Sequence, residues 1–344
     1  MHITEGIITG YPAAAYTAGG LALMSWGTWR MKQFAARFPD KKALLGMGGA
    51  LIFFVSLIPL PAFTGTCTHP CGVPLIAILL GPAIGIALAG LSLLLQAAFF
   101  AHGGFSTWGA NVLALGLAGA VSGWLVFRGT RKLGAPLWLA GGAAGLIGDL
   151  MVYAMAGLIL ALTLSQAPEP QYSFAGYLAV IYTAYLPTQL PIAIGEMFIT
   201  GLAIHYAFKQ RPEVLVDLGV VPRAAAPVLQ QQLLILILGL ALSLVAGFWQ
   251  PVGASEPVAP PAAAAEEKAG FTGMDEAVNE RLSELAGLKP REPYINLESK
   301  GDLWNAALLL GGGICGFILG RWWHLLFSRR GPQTGRMVNQ PEAT

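Results

Sequence analysis

Eight long apolar stretches, at residues 7–29, 43–63, 75–101, 109–127, 135–163, 175–207, 232–250 and 303–327, alternate with short charged segments. A helix needs about 20 mainly apolar residues to cross the hydrocarbon core of a bilayer. Most of the stretches therefore predict one membrane-spanning helix each. The stretch 75–101 is different, because its 27 residues are many for one span and few for two. Gly81-Pro82 offers a break near one end. It predicts a hairpin of two short helices, a form tolerated at membrane depth where it is packed in protein or lines a cavity. The alternative is one long tilted helix.

The charges set the orientation. Basic residues gather at Arg30, Lys32, Arg37, Lys41 and Lys42, at Arg128, Arg131 and Lys132, at Lys209, Arg211 and Arg223, and at Arg321, Arg329, Arg330 and Arg336. The positive-inside rule places all four clusters in the cytoplasm. The first span then runs inward from an extracytoplasmic Met1, with no basic leader in Met1-His-Ile-Thr-Glu5 to suggest a cleaved signal. The loop 64–74 lies outside, and the hairpin over 75–101 is what lets 128–132 return inside. The expected fold is all-α: a polytopic integral membrane protein of about nine transmembrane helices, seven plus two, with the C-terminus cytoplasmic.

Composition agrees. Hydrophobic residues make up 55% of the 344 and charged residues 11%, against about 25% charged in an average soluble chain; the mean hydropathy is +0.62. This excludes a soluble enzyme, a nucleic-acid binder and a disordered chain. The net charge of +2 defines no partner beyond the lipid bilayer itself.

The chain divides into a membrane domain at 1–210, a cytoplasmic linker at 211–231 containing Pro212, Pro222 and Pro227, and a two-helix module at 232–327. A cytoplasmic tail follows at 328–344. The loop 251–302 between the last two spans is expected outside. It holds ten acidic and five basic residues and opens with a Pro/Ala-rich tether. Within it, Met274, Val278, Leu282 and Leu285 have helical spacing and predict a short amphipathic helix.

Motifs for enzymatic chemistry are missing. There is no G-x-x-x-x-G-K-[ST] phosphate loop, no H-E-x-x-H, no haem motif and no Ser-His-Asp pattern. The five histidines are more informative, since His2, His69 and His102 all fall on the outer side in this topology. A free Met1 amine, the His2 amide and the His2 imidazole close a five- and a six-membered chelate ring. A further histidine nitrogen completes a planar four-nitrogen set, which suits Ni²⁺ or Cu²⁺; hard cations such as Ca²⁺ and Mg²⁺ are excluded. The bland reading is that His2 is an exposed residue at a frayed end.

His69 sits in Gly65-Thr-Cys-Thr-His-Pro-Cys-Gly72 and admits three readings. It is the fourth nitrogen ligand, or it joins Cys67 and Cys71 in a softer copper or zinc site, or the cysteines pair as a disulfide that shapes the loop. His102 and the nearby Asn111 are candidates for supporting or extra ligands. His205 and His324 read as interfacial anchors and Cys315 as packing. Glu196 is a charge inside an apolar stretch, able to hold a passing cation or to fix a broken helix. Asp149 reads as a bond to a neighbouring helix.

Three stretches then carry a resemblance: Met1-His-Ile-Thr-Glu-Gly6; Ile76-Ala-Ile-Leu-Leu-Gly-Pro82 with Gln96-Ala-Ala-Phe-Phe-Ala-His-Gly-Gly104 and Gly109-Ala-Asn111; and Ile194-Gly-Glu-Met-Phe-Ile-Thr200. Over about residues 1–210 the chain resembles the CbiM/NikM family, the substrate-capture components of cobalt and nickel energy-coupling-factor transporters. The last two spans resemble in layout the small partner subunit, CbiN or NikN, fused to the same chain. The resemblance implies a multi-pass protein of a bacterial or archaeal cell (inner) membrane that carries Ni²⁺ or Co²⁺ as transported substrate. It implies ligation by Met1, His2 and His69, and a link to cobalamin biosynthesis. It also implies a separate transmembrane coupling (T) subunit and cytoplasmic ATPase subunits, so that this chain is not itself an enzyme. The sequence departs from the family pattern at His102, where an acidic residue is usual, and at the cysteines flanking His69. The competing readings are a membrane metal sensor or store, and a copper- or zinc-binding protein using Cys67, His69 and Cys71.

Overall fold

The computed structural model describes residues 2–57, 60–61, 67–100, 102–222, 274–289 and 291, all within one compact unit, Met1–Ile295. The expected spans 232–250 and 303–327, the tail 328–344, Met1, Cys315 and His324 lie outside the described residues.

Among the described residues the fold is almost wholly helical. After an irregular N-terminal segment come α1 (Gly10–Arg37), a 3₁₀ turn (Pro39–Lys41) and α2 (Ala43–Val55). A two-residue ribbon follows, β1 (Leu60–Pro61) antiparallel to β2 (Cys67–Thr68), with Leu60 opposite Thr68. Next are α3 (Val73–Leu80) and α4 (Pro82–Phe99). The chain then continues through α5 (Trp108–Asn111), a π-helical segment (Val112–Ala118) and α6 (Gly119–Lys132) without leaving the helix. The long helices α7 (Leu137–Ser165) and α8 (Phe174–Gln210), the short α9 (Pro212–Asp217) and α10 (Met274–Leu285) complete the set. Four helical runs are long and apolar enough to cross a membrane: 82–99, 108–132, 137–165 and 174–210. The expected nine-helix count thus stands only in coarser form, as a helical membrane domain.

The break in 75–101 lies at Gly81. That residue takes φ +94, which an L side chain rarely adopts, and Pro82 then opens α4 at its first turn, where its missing N–H costs nothing. The short α3 and longer α4 pack on each other, α3 also against α6, and α4 against α1 and α2.

Two expected boundaries move. The charged segments 30–37 and 128–132 are not loops but the last turns of α1 and α6. Long basic side chains carry their charge past a helix end while their stems lie along apolar surface, and the Arg128 guanidinium stacks 4.8 Å from the centre of the Trp124 ring.

Small residues bring the helices close, as expected where lipid supplies no hydrophobic drive between helices. On α7, Gly141, Gly142 and Gly145 meet Thr200, Gly201, Met197 and the Glu196 carbonyl of α8. The tightest approach is at Gly109 of α5, where an added methyl would land on the Tyr16 carbonyl of α1. Gly109→Ala is therefore expected to lower the thermal midpoint, at a cost of about 1–3 kcal/mol or more for overpacking. Gly46→Ala in α2, which meets open space, is the matched control and should cost nothing. Equal midpoints for the two variants in detergent would refute this packing.

Candidate metal centre

The N-terminal segment is held by α5 and the turn that precedes it. Asn111 clasps the main chain of Ile3 from both sides. Its Oδ1 accepts the Ile3 N–H at 2.8 Å and its Nδ2 donates to the Ile3 carbonyl at 3.2 Å. The Thr107 hydroxyl donates to the same carbonyl at 2.6 Å. Farther along, the Ser106 N–H donates to Glu5 Oε2 at 3.0 Å, and the Gly6 N–H donates to Ser106 Oγ at 3.2 Å. Buried polar groups demand such partners, and here every one is found about 100 residues away in sequence. Gly103, at φ +78, supplies the close approach. A Cβ there would sit 3.2 Å from Asn111 Nδ2 and 3.4 Å from His2 Cδ2.

Fixing Ile3 sends His2 inward. His2 is fully buried and His69 is 5% exposed, with His102 half-buried beside them. The ring centres of His2 and His102 are 4.1 Å apart, those of His2 and His69 5.1 Å. His69 and His102 approach through their Nε2 atoms at 3.3 Å. One ring nitrogen from each of the three lies within 4.8 Å of the others, the one such group of three among the described residues. Among the described residues neither ring nitrogen of His2 meets a hydrogen-bond partner at good distance and angle, and the buried Gln96 Oε1, whose side chain faces His2, also lacks one. Three convergent imidazoles, one of them with both nitrogens idle in a desolvated pocket, form a donor set that can hold a borderline transition-metal ion. The bland reading of His2 as a frayed end does not describe this residue.

Burial holds His2 and His69 neutral. Desolvation, first, pushes each well below the usual 6.5, and for His2 the neighbouring His102 acts in the same direction. A lowered pKa means that the unfolded chain takes up protons before the folded one. Stability from these residues is therefore present above about pH 6.5 and is lost as the pH falls below it. Thermal scans of the metal-free protein should show a flat midpoint from about pH 8 to 7 and a fall below about 6.5. In His2→Gln/His69→Gln that fall should be shallower, and an unchanged slope would refute the neutral pair.

The remaining candidates separate into two groups. Asn111 belongs to the histidine site by its clasp on Ile3. Glu196, on α8, reaches the same loop from behind. Its Oε1 accepts the Gly72 N–H and the Thr200 hydroxyl, each at 3.2 Å, while Oε2 lacks a partner. Cys71 is a free, buried thiol outside the imidazole group. Burial pushes it well above its ordinary value, with the Glu196 and Asp149 carboxylates adding to the effect. Cys67 lies in β2, and its side chain is outside the described residues. Asp149 corrects the sequence reading. It is fully buried, and among the described residues no hydrogen bond ties its oxygens to another helix; the groups that face it are the Cys71 thiol, a weak donor from the loop before α3, and the Glu196 carboxylate. His205 is exposed near the end of α8.

Sequence reasoning passed over Glu5, Ser106 and Thr107. The signal for Glu5 was a lone acid in an apolar opening; for the others it was polarity within three residues of a Gly-Gly pair.

Comparison with known proteins follows the same boundaries. Residues 2–214 match the family described as cobalt uptake substrate-specific transmembrane region, CbiM. The cobalt transport protein CbiM of Geobacter sulfurreducens is 36% identical over 331 residues, covering 96% of this chain and 91% of that one. The CbiM of Sorangium cellulosum is 36% identical over 222 residues, 64% of this chain and 97% of that one. Among solved structures, a transition metal transporter superposes with a TM-score of 0.51 at 24% identity, over 61% of this chain and 93% of the other. A truncated transition metal transporter gives 0.52 at 23%, over 61% and 99%. At these identities the two structures share the fold.

Proposed function

Because the chain belongs to the CbiM family, we propose that it is the membrane component that captures Co²⁺ or Ni²⁺ for import, holding the ion at His2, His69 and the Met1 amine. The observation that carries the reading is the buried convergence of His2, His69 and His102, with both His2 nitrogens unpartnered. Met1 and the His2 amide supply the chelate rings, His69 closes the set, and His102 stands next to the His69 nitrogen as an extra ligand or a hydrogen-bond partner. Glu196 and Asn111 act at one remove, by fixing the His69 loop and the His2 backbone.

The chain carries no nucleotide-binding motif, so energy for transport comes from elsewhere. We assign that role to a separate coupling subunit with cytoplasmic ATPases, as in energy-coupling-factor importers. The same reading places the histidines outside a cell membrane, the basic ends of α1 and α6 inside, and a CbiN-like module at 232–327. The Geobacter relative extends over nearly the whole of this chain, which supports reading both parts as one protein.

The test is metal analysis of the protein with an untagged N-terminus after exposure to equal Co²⁺, Ni²⁺, Cu²⁺ and Zn²⁺, repeated on His2→Ala. About one Co²⁺ or Ni²⁺ per chain, lost in the variant, supports the proposal and names the ion. Copper or zinc kept by the variant would move the site to Cys67, His69 and Cys71 and defeat it. Uptake of the bound ion into vesicles that depends on added ATPase subunits tests the coupling.

A further inference from the structure

At the end of the helices away from the histidines, a cleft of 980 Å³ opens between the C-terminal turns of α1 and α6, the Gly81 break and the segment after α9. The span that begins beside the Asn111 clasp reaches Lys132 after 21 residues, about 30 Å at 1.5 Å per residue. Five cations line this cleft: Arg30, Arg37, Arg128, Arg131 and Lys132. Among the described residues no Asp or Glu lines it.

Their contacts are neutral. Arg30 donates to Gln33 Oε1 at 3.0 Å, Arg131 donates to the Ala135 carbonyl, Arg128 lies over Trp124, and Arg37 lies 5.2 Å from the centre of the Phe38 ring. Among the described residues none of the five is paired with a carboxylate. The contrast is close by, where Lys41 is held by Asp40 at 2.8 Å and by Asp217 at 3.2 Å. Like charges gathered in one cleft repel, and the lining therefore favours an anion. Its floor is apolar, with Phe34 and Phe127 buried and Trp124 beside them. Its volume falls in the range of small-molecule sites, about 300–1,000 Å³.

We propose that this cleft binds the phosphate of an anionic phospholipid headgroup. The place is right, because the cleft lies where apolar helices end and headgroups begin, and basic pockets between spans are suited to such lipids. The chemistry is right, because guanidinium forks match phosphate oxygens bidentately. The apolar floor takes the glycerol and the upper acyl chain, which a free phosphate does not need. The proposal is independent of the metal ion.

The full chain, delipidated in mild detergent, would be titrated with cardiolipin, phosphatidylglycerol, phosphatidylethanolamine and inorganic pyrophosphate, reading adducts by native mass spectrometry and the thermal midpoint in parallel. Anionic lipids should stay bound and raise the midpoint, and phosphatidylethanolamine should not. Arg128→Gln/Arg131→Gln should weaken anionic lipid binding about tenfold or more while metal binding at the histidines stays unchanged, which also reports that the variant folds. Should stacking on Trp124 make that pair too unstable, Arg30→Gln/Arg37→Gln at exposed positions gives the same test with the same expected loss. Equal binding of phosphatidylethanolamine, or undiminished binding in both double variants, overturns the proposal. Pyrophosphate bound as tightly as the lipids would overturn the lipid as its source. An acidic peptide that outcompetes cardiolipin would reassign the cleft to a protein partner.

Discussion

Insertion of one alanine between Met1 and His2 is expected to abolish tight metal binding. The proposed chelate depends on consecutive atoms: amine to amide would close a five-membered ring, and the next residue's amide to its own imidazole a six-membered one. An inserted residue keeps every donor type but enlarges the first ring. The chain downstream of His2 is fixed. Ile3 is clasped by Asn111 and Thr107, and Gly6 and Glu5 are tied to Ser106. The slack therefore cannot be absorbed downstream of His2. Loss of a supporting contact alone typically costs 10–100-fold in metal affinity, and loss of a primary chelate ring should exceed about 100-fold. Equilibrium dialysis with Co²⁺ and Ni²⁺ checks this, with His205→Ala as the exposed control that should bind as the parent does. Undiminished affinity would remove Met1 from the site.

The second large effect is expected at His69, and its comparison with His102 assigns their roles. His69→Ala removes a buried nitrogen within 4.8 Å of the other two rings and should lower affinity about 100-fold or more. His102→Ala should cost about 10-fold if the ring only orients His69 through the 3.3 Å Nε2 contact. His102→Asp supplies a charge-assisted partner in its place, and should recover most of that loss without restoring the third imidazole. A cost at His102 equal to that at His69, unrescued by Asp, would make it a full ligand. A cost at His69 no larger than at His205 would sink the site.

The convergence of His2, His69 and His102 was legible because charge and parity alone put all three at one end of the helices. The Gly81-Pro82 break was legible because only one residue there accepts φ +94 next to a proline. The helix ends were less legible. Basic residues read as loops, yet Arg30 and Arg128 belong to helices, since a hydropathy pattern marks where apolar surface stops and not where hydrogen bonding stops. Least legible were Glu5, Ser106 and Thr107. Their roles rest on main-chain partners about 100 residues away, and no local period encodes such a pairing. Asp149 misled because a buried acid in a span predicts a donor on another helix, and here it faces the Cys71 thiol of a loop and another carboxylate.

The Glu196 bond to Gly72 has a mechanical consequence. It hangs the His69 loop on α8, a continuous helix of 37 residues with Pro187 and Pro191 inside it, whereas His2 hangs through Ile3 on the Asn111 end of another span. A single ion seated between them works as a clasp across two separately anchored parts. Occupancy should then slow hydrogen exchange at both anchorages together, by an amount that grows with free ion concentration as mass action requires. In that arrangement a small turn of α8 about Pro187 and Pro191 is expected to pull on the His69 loop without pulling directly on His2, which is tied to a different helix.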